Sequence, residues 1–486
     1  MITPPPPTAD LNDEAKINGS YLWAVCVAAA LGGLLFGYDW VVIGGAAKFY
    51  EAFFHLKDTG AGVFSAVGWA QSCALLGCLV GAAISGTLSD RWGRRSVLIF
   101  AAANFVVSSL GIAEVSGFSA FVIWRILGGV SIGLASNISP MYISEIAPAR
   151  RRGLLVAINQ LTIVTGVLAA QVVNWWIARP VPAAITPEAL ALTWNATAGW
   201  RWMFAACAAP SLLFFIASIF LPESPRWLAK AGQLKKAEAV FARIGGARYA
   251  GSAMADLASS AAPDHHPVRF SELLGRNRRA LLVLGITLSV FQQWCGINVI
   301  FNYAGEIFRQ AGYDLNSTLT NIMMTGVVNL VFTFVALLTV DRLGRKPLMM
   351  FGAAALTLIY LLLGYCYHLR AAGTAVPNVL FLTLVLAAIA AYSMSLAPVT
   401  WVLISEIFPN RIRGRAMSVS VGSLWIACFL LTYTFPLINA RLGASGTFWI
   451  YAGICALGLV FVGLRLTETK GRSLEQIERD SIFPAP

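Results

Sequence analysis

Long apolar runs alternate with short polar segments along almost the whole chain. The first run, from Tyr21 to Gly45, is about 25 residues long, and a helix of roughly 20 apolar residues crosses a bilayer core. The same pattern recurs and predicts an all-α membrane protein with twelve spans, near residues 21–47, 61–88, 96–115, 119–144, 154–178, 200–221, 280–308, 318–340, 347–368, 377–405, 412–438 and 446–466.

Two motifs occur twice, at equivalent places in the two halves of this pattern. SDRWGRR at 89–95, after the second span, matches VDRLGRK at 340–346, after the eighth, and SEIAPARRRG at 144–153 likewise matches SEIFPNRIRG at 405–414. We therefore expect two six-helix bundles, as in transporters that rock around a site at the midplane. The expected domains are an N-terminal tail at 1–20, a bundle at 21–221, a linker with short helices at 222–278, a second bundle at 279–466 and a tail at 467–486.

Basic residues gather in alternate loops, which predicts the orientation of the chain. The clusters are Arg91, Arg94 and Arg95; Arg150, Arg151 and Arg152; the 222–278 linker; Arg342, Arg345 and Lys346; and Arg411, Arg413 and Arg415. Cytoplasmic loops carry the excess of Lys and Arg. We therefore expect both termini and the linker in the cytoplasm, and the protein in the plasma membrane, which for a bacterium is the inner membrane.

Composition narrows the functional class. Hydrophobic residues make up 58% of the 486 and charged residues 12%, against about a quarter charged in ordinary globular chains. The net charge of +12 falls in short loops, so we expect no nucleic-acid partner. The eight cysteines have no metal-ligand spacing, and no phosphate loop or H-E-x-x-H motif occurs. We expect a monomer that is not an enzyme and that uses no cofactor or metal.

One carboxylate lies inside the first span. An Asp near the centre of a membrane helix costs on the order of 2.5–3.5 kcal/mol, so Asp39 is expected to be paired and functional. Arg125, inside the fourth span, is the natural partner. A carboxylate that takes up a proton when it separates from its arginine couples transport to a proton gradient. The alternative is that Asp39 has only a structural role, as the partner of a neighbouring helix end or of an arginine.

Carboxamides inside the spans are candidates for binding a sugar. An amide donates and accepts hydrogen bonds on one planar group, as a sugar hydroxyl requires, and aromatic rings cover the apolar face of a sugar. Gly296 follows the Gln292–Gln293 pair and is a plausible helix break. The alternative role of such amides is to join helices. The amides are Gln160, Gln171, Gln292, Gln293, Asn298, Asn302 and Asn329.

The chain resembles the sugar porter branch of the major facilitator superfamily from about Tyr21 to Arg472, and is most similar to bacterial proton-coupled monosaccharide symporters. The resemblance is carried by GTLSDRWGRR at 86–95, PMYISEIAPARRRG at 140–153, PESPRWL at 222–228, QQWCGIN at 292–298, VDRLGRKP at 340–347, PVTWVLISEIFP at 398–409 and ETKG at 468–471.

The resemblance implies a set of sugar-binding positions and a proton-coupling pair. The pair is Asp39 with Arg125, since symporters of this branch carry Asp where facilitators carry Asn. Leu424 stands where many members carry an amide, and Asn302 replaces a tyrosine common in the symporters. The polar context of the seventh span adds Asn302 to the implied sugar-binding positions. The full set is Phe36, Gln160, Gln292, Gln293, Asn298, Asn302, Asn329, Trp401 and Trp425.

The repeated motifs also resemble the family's ion network, which closes the cytoplasmic side when the outer side is open. Each motif holds acids beside its bases, which favours pairing over a purely topogenic role. The expected members are Asp90, Arg91, Arg94, Arg95, Glu145, Arg152, Glu223, Arg226, Asp341, Arg345, Glu406, Arg413 and Glu468.

These patterns predict symport of a monosaccharide with a proton by alternating access. Val167 and Phe301 match the glucose facilitators rather than the xylose symporters, which favours a hexose over a pentose. Two alternatives are a passive sugar facilitator, against which Asp39 argues, and a non-transporting sugar sensor, which needs a longer cytoplasmic tail.

Overall fold

The computed structural model describes residues 17–56, 65–148, 151–183, 185–260, 275–408, 412–468 and 470, and this part of the chain is helical throughout apart from its turns. The helices of the first half and linker are α1 (Gly19–Phe53), α2 (Ala66–Trp92), α3 (Arg94–Glu114), α4 (Phe118–Ile146), α5 (Arg152–Ile177), α6 (Pro187–Ala191), a π-helical turn (Asn195–Gly199), α7 (Trp200–Ala205), α8 (Ala208–Phe220), α9 (Pro225–Lys230) and α10 (Leu234–Ser260). Those of the second half are α11 (Arg276–Trp294), α12 (Ile297–Asn302), α13 (Ala304–Gln310), α14 (Leu315–Leu343), α15 (Arg345–Ala371), α16 (Asn378–Ser393), α17 (Leu396–Glu406) and α18 (Arg413–Arg465).

Eleven helical stretches of the described chain are long and apolar enough to cross a bilayer. The last of them, Arg415–Arg465, is 51 residues long, about 75 Å at 1.5 Å per residue and far more than one crossing needs. Gly443 interrupts it with a non-helical backbone (φ 66°, ψ 179°), so α18 turns back there and crosses twice. Twelve crossings result, and the protein is a multi-pass membrane protein.

Two spans of the second half are broken near their middles. α11 ends at Trp294, and α12 begins after Gly296, whose φ of 88° lies in the left-handed region. This is the break that the sequence predicts. In the tenth span the helix stops at Ser393 and restarts at Leu396, because the ring of Pro398 excludes the carbonyl of the residue four positions earlier.

The two halves repeat the same turn. Gly93 separates α2 from α3 with φ 88° and ψ 162°, and Gly344 separates α14 from α15 with φ 93° and ψ 162°. Only glycine adopts this backbone region readily. Each turn carries an arginine directly after the glycine, Arg94 or Arg345, which starts the next helix. We call the end of the molecule that holds these turns the basic end, and the other the opposite end.

Within the first half, α1 packs on α5 and α2 packs on α4. Within the second, α18 packs on α11 and α15. The halves meet along α2 with α18 and along α5 with α14. The linker helices α9 and α10 lie at the basic end, where the Trp227 indole donates to the Asp90 carbonyl (2.9 Å) and the Asn18 amide donates to the Ile244 carbonyl (2.8 Å).

Candidate functional site

A buried ion pair lies at the centre of the first half. Nη1 of Arg125, on α4, donates to both carboxylate oxygens of Asp39, on α1, at 2.9 Å each. Only 5% of Asp39 and 2% of Arg125 is exposed. The guanidinium carbon also lies 5.4 Å from the ring centre of Phe204. Opposite charges buried at this distance offset each other's desolvation, so removing either one leaves an uncompensated charge.

A small pocket lies beside this pair. Asp39, Trp40, Gln71, Arg125 and Asn302 contribute polar or aromatic groups to its wall, and its volume is about 10 Å³, roughly the space that one water needs. Asn302 belongs to the second half, whereas the other four side chains belong to the first. The pocket is therefore completed across the interface between halves.

The amides of the seventh span form a hydrogen-bonded chain. Nε2 of Gln292 donates to the Tyr392 hydroxyl (2.7 Å), and Nε2 of Gln293 donates to Oε1 of Gln292 (2.5 Å). Nδ2 of Asn298 donates to Oε1 of Gln293 and contacts the Cys428 sulfur at 3.7 Å. The break at Gly296 brings Asn298 back toward Gln293, which a continuous helix would hold on a different face. Three of the predicted positions therefore form one cluster.

The remaining predicted amides are spread more widely. Asn329 accepts a hydrogen bond from the Ser393 hydroxyl (2.7 Å), which ties the eighth span to the tenth. Gln160 is half-buried on α5. Asn302 lines the pocket beside Asp39, and no described hydrogen bond joins it to the chain of Gln292, Gln293 and Asn298. Its predicted role as a sugar ligand thus has less geometric support than theirs.

Aromatic side chains of both halves meet at Trp425, which precedes Cys428, the contact of Asn298, by about one helical turn. The ring centres of Phe36, Trp40 and Trp425 are 5.8–6.0 Å apart in all three pairs. Trp425 is buried, and its indole N–H has no acceptor among the described residues. Trp401, on α17, keeps 36% of its surface exposed. A ring face and a free N–H suit a ligand with an apolar face and hydroxyl groups.

Three carboxylates hold the basic end of the first half. Nε and Nη2 of Arg94 donate to the two oxygens of Glu145 at 3.0 Å each, a two-pronged pair. Nη1 of Arg94 also reaches Asp90 at 3.3 Å. Glu223 accepts from the backbone amides of Arg94 (2.8 Å) and Arg95 (3.2 Å). These bonds fasten the start of α3 to the end of α4 and to the segment before α9.

Burial raises the pKa of Glu223 above its ordinary value, although the backbone amides that it contacts and the Arg94 guanidinium act in the opposite direction. The folded chain therefore holds this proton more tightly than the unfolded chain does. The contribution of this carboxyl group to stability is present at acid pH and is lost as the pH rises from its ordinary pKa, about 4.3, toward the raised pKa.

The second half repeats this arrangement. Nη2 of Arg345 donates to Glu406 (3.1 Å), and Glu468 accepts from the backbone amides of Arg345 and Lys346 (3.0 Å each). Arg345, Glu406 and Glu468 thus take the places of Arg94, Glu145 and Glu223. The side chains of Asp341 and Arg413 lie outside the described residues.

Three predicted members of the network, Arg91, Arg152 and Arg226, lie outside the ion pairs described above. Glu145 binds Arg94 rather than Arg152 of its own motif, because the turn at Gly93 places the Arg94 guanidinium against the end of α4. Arg152 is half-buried near Tyr249 of α10. Arg91 and Arg226 are exposed at the basic end.

Polar contacts between the halves gather at the opposite end. Nζ of Lys48, on α1, lies 2.9 Å from the carboxylate of Glu306, on α13. Asn316 exchanges two hydrogen bonds with the backbone of Val181 (2.9 and 3.1 Å). At the basic end, the ion pairs between described side chains join residues of the same half or, for Lys230, join the first half to the linker. The halves are therefore fastened to each other at the opposite end.

Sequence reasoning missed several residues of these sites. Trp40 follows Phe36 by one helical turn and carries the signal of a shared helix face. Gln71 is an amide inside the second span and gave the same signal as the amides of the seventh. Tyr392 and Cys428 carry no local signal, because only the packing of separate helices brings them to Gln292 and Asn298.

Two parallel six-span halves around a central polar site define a transporter of the major facilitator class. Residues 25–480 match the family model described as "Sugar (and other) transporter". The chain is 38% identical to the D-xylose-proton symporter of Escherichia coli K12 over 493 aligned residues (96% of each chain), and 37% identical to the arabinose-proton symporter of Bacillus subtilis 168 over 455 (94% of each). The inward-open structure of the xylose transporter XylE from E. coli matches with a TM-score of 0.81 at 36% identity, over 94% of this chain and 99% of that one. The chain belongs to the sugar transporter family.

Proposed function

We propose that this protein is a secondary transporter that moves a monosaccharide together with a proton by alternating access. The observation that carries the proposal is the buried pair of Asp39 and Arg125, which lies beside a pocket shared by both halves. A titratable carboxylate at this depth gives the protein a group whose protonation changes the contacts between helices. The two relatives compared above are both named as sugar-proton symporters.

The amide and indole cluster supplies the sugar site in this proposal. Gln292, Gln293 and Asn298 offer donors and acceptors, and Trp425 offers an indole N–H and a ring face. A sugar would exchange the bonds among these amides for bonds to its hydroxyls. Gln160, Asn329 and Trp401 are proposed as outer contacts, and Phe36 as part of the ring wall.

Protonation of Asp39 is the proposed coupling step. A proton on the carboxylate removes the negative charge that Arg125 needs, so the pair loosens and α1 becomes free to move against α4. Since α1 also contacts α12 and α13 of the second half, its movement changes the contact between halves. The halves, residues 21–221 and 279–466, then rock about the bound sugar.

The contacts between the halves at the opposite end support a state that is closed there. With the basic end assigned to the cytoplasm by the positive-inside rule, we propose that this state is open inward. In the outward-open state, the charged groups of the two basic-end turns are proposed to pair across the halves instead. A few kcal/mol of such pairs suffices, since the two states of a carrier are close to balance.

Reconstituted protein tests this proposal. Uptake of a panel of labelled hexoses and pentoses into proteoliposomes is measured with and without an inward proton gradient. We expect one sugar to accumulate above its external concentration only when the gradient is present. Equilibration that ignores pH would instead define a passive facilitator, and sugar binding without uptake would define a sensor. The panel also decides between a hexose, which the sequence favours, and a pentose such as those named for the two relatives.

A further inference from the structure

The pocket beside Asp39 contains buried amide groups that have no role in the coupling step proposed above. Both amide atoms of Gln71 and Oδ1 of Asn302 are buried without a hydrogen-bond partner among the described residues, and each side chain is only 3% exposed. Leaving such a group unsatisfied costs about 1–3 kcal/mol. A pocket of about 10 Å³ that offers several polar partners fits one water molecule.

The two halves of the molecule line different sides of the pocket. Gln71, Ala74, Leu75 and Cys78 line it at the spacing of one face of α2. Asn302 closes it from α12. The contact between α1 and α12 is close, because a Cβ at Gly44 would lie 2.5 Å from the Phe301 carbonyl oxygen. Separation of the halves at the opposite end would move Asn302 away and open the pocket to that side.

We propose that Gln71 and Asn302 hold a water molecule in this pocket, and that this water delivers the proton to Asp39. In the transfer, an O–H bond of the protonated water breaks, a new O–H bond forms on the Asp39 carboxylate, and neutral water remains. No electrons are exchanged, and the proton is the one that the symport itself carries. Gln71 is thus a positioning residue for the proton path, and this inference rests on the proposed function.

Few other groups near Asp39 change charge near neutral pH. The titratable side chains that face it or Arg125 are Tyr38 and Tyr50 on α1, Cys73 and Cys78 on α2, and Cys207 before α8. Thiols and phenols are neutral at pH 7. Arg125 is therefore the one permanent charge facing Asp39 among the described residues, and a change in the pH profile reports on Asp39 and its water.

The test compares Gln71→Leu with wild type in the full-length protein in proteoliposomes. Two rates are measured across pH: sugar exchange without a gradient, and gradient-driven uptake. Gln71→Leu removes the amide but keeps an apolar side chain of similar size. We expect gradient-driven uptake to fall roughly 3- to 10-fold, as for one lost hydrogen bond in a buried site, and its pH profile to shift, while exchange is retained.

Two further variants complete the design. Ser72→Ala removes a buried hydroxyl that also lacks a described partner but lies outside the pocket, and should behave as wild type. Gln71→Asn keeps the amide and should restore part of the uptake. The inference is overturned if Gln71→Leu keeps the wild-type uptake and pH profile, or if it loses exchange to the same extent as uptake, since Gln71 would then be structural. Absence of gradient-driven accumulation in wild type would instead refute the proposed function.

Discussion

At the scale of single residues, the proposed sugar site depends on which buried polar groups already have partners. Trp294 and Trp425 illustrate the difference. The Trp294 indole donates to the Ala427 carbonyl (2.9 Å), so it joins α11 to α18. The Trp425 indole has no acceptor among the described side chains and backbone groups. The first N–H stabilises the fold, and the second is the one that we propose for a sugar hydroxyl.

Replacing each tryptophan with phenylalanine separates these roles. Trp425→Phe keeps the ring but loses the N–H, so sugar affinity should fall by roughly 3- to 10-fold with little change in melting temperature. Trp294→Phe removes a hydrogen bond that joins α11 to α18, so it should lower the melting temperature and leave affinity unchanged. Calorimetric binding and thermal unfolding in detergent measure both. Equal effects of the two variants on affinity would contradict the assignment of Trp425 to the sugar site.

The sequence predicted some of this residue-level structure and missed the rest for a physical reason. Asp39 and Arg125 could be paired in advance because a charge inside a span requires a partner, and few candidates exist. Glu145 could have bound Arg94 or Arg152, and only the turn at Gly93 decides it. Tyr392 meets Gln292 through tertiary packing that leaves no trace in local sequence.

At the scale of elements, small residues determine how closely the helices approach. A Cβ at Gly81, on α2, would lie 2.2 Å from the Val130 carbonyl oxygen of α4, and a Cβ at Gly133 would lie 2.2 Å from the Cys78 carbonyl oxygen of α2. Backbone contact of this kind is typical of membrane helices, which lack a hydrophobic driving force for association. The packing of α2 on α4 also positions Gln71 and Arg125.

Two glycines on α2 allow a matched comparison. Gly81→Ala forces α2 away from α4 and should destabilise the protein by about 1–3 kcal/mol, as for an overpacked core. Gly86→Ala, on the exposed face with nothing within 4 Å of the added Cβ, should be neutral or slightly stabilising. Melting temperatures of the two variants and the wild type in detergent measure these effects. A wild-type melting temperature for Gly81→Ala would show that the α2–α4 contact is looser than described.

Span positions were largely predictable, whereas breaks were less so. Apolar run length locates the crossings because the bilayer sets the length. The kink at Pro398 and the break at Gly296 follow from residue type. The extension of α1 to Phe53 could not be predicted from residue type. Polar residues after Gly45 are tolerated there because the helix packs against the second half through Lys48.

At the scale of the whole molecule, contacts between halves decide which side is open. Lys48 and Glu306 hold the opposite end closed, while Arg309 contacts the same Glu306 from within the second half (2.6 Å). The side chains of Lys48 and Glu306 are 28% and 20% exposed, and an ion pair that solvent reaches is worth about 0–1 kcal/mol. Such a contribution changes the ratio of two nearly balanced states several-fold without preventing either.

Breaking the inter-half pair should shift this balance. Glu306→Gln should increase the outward-open fraction by up to about fivefold, whereas Arg309→Gln, which loses only a contact within the second half, should not. The populations of the two states are measured from the distance between two spin labels at the opposite end of the molecule, one on each half. An unchanged distance distribution in Glu306→Gln, or the same shift in both variants, would show that the pair of Lys48 and Glu306 does not stabilise the closed state.

The most direct test of the account compares Asp39→Asn with wild type in proteoliposomes, measuring gradient-driven sugar accumulation and sugar exchange in the same preparation. We predict that the variant loses accumulation and keeps exchange, because asparagine approximates the protonated carboxyl group but cannot release a proton. Accumulation at the wild-type level in Asp39→Asn would contradict it, and would leave the buried pair with Arg125 a structural role alone.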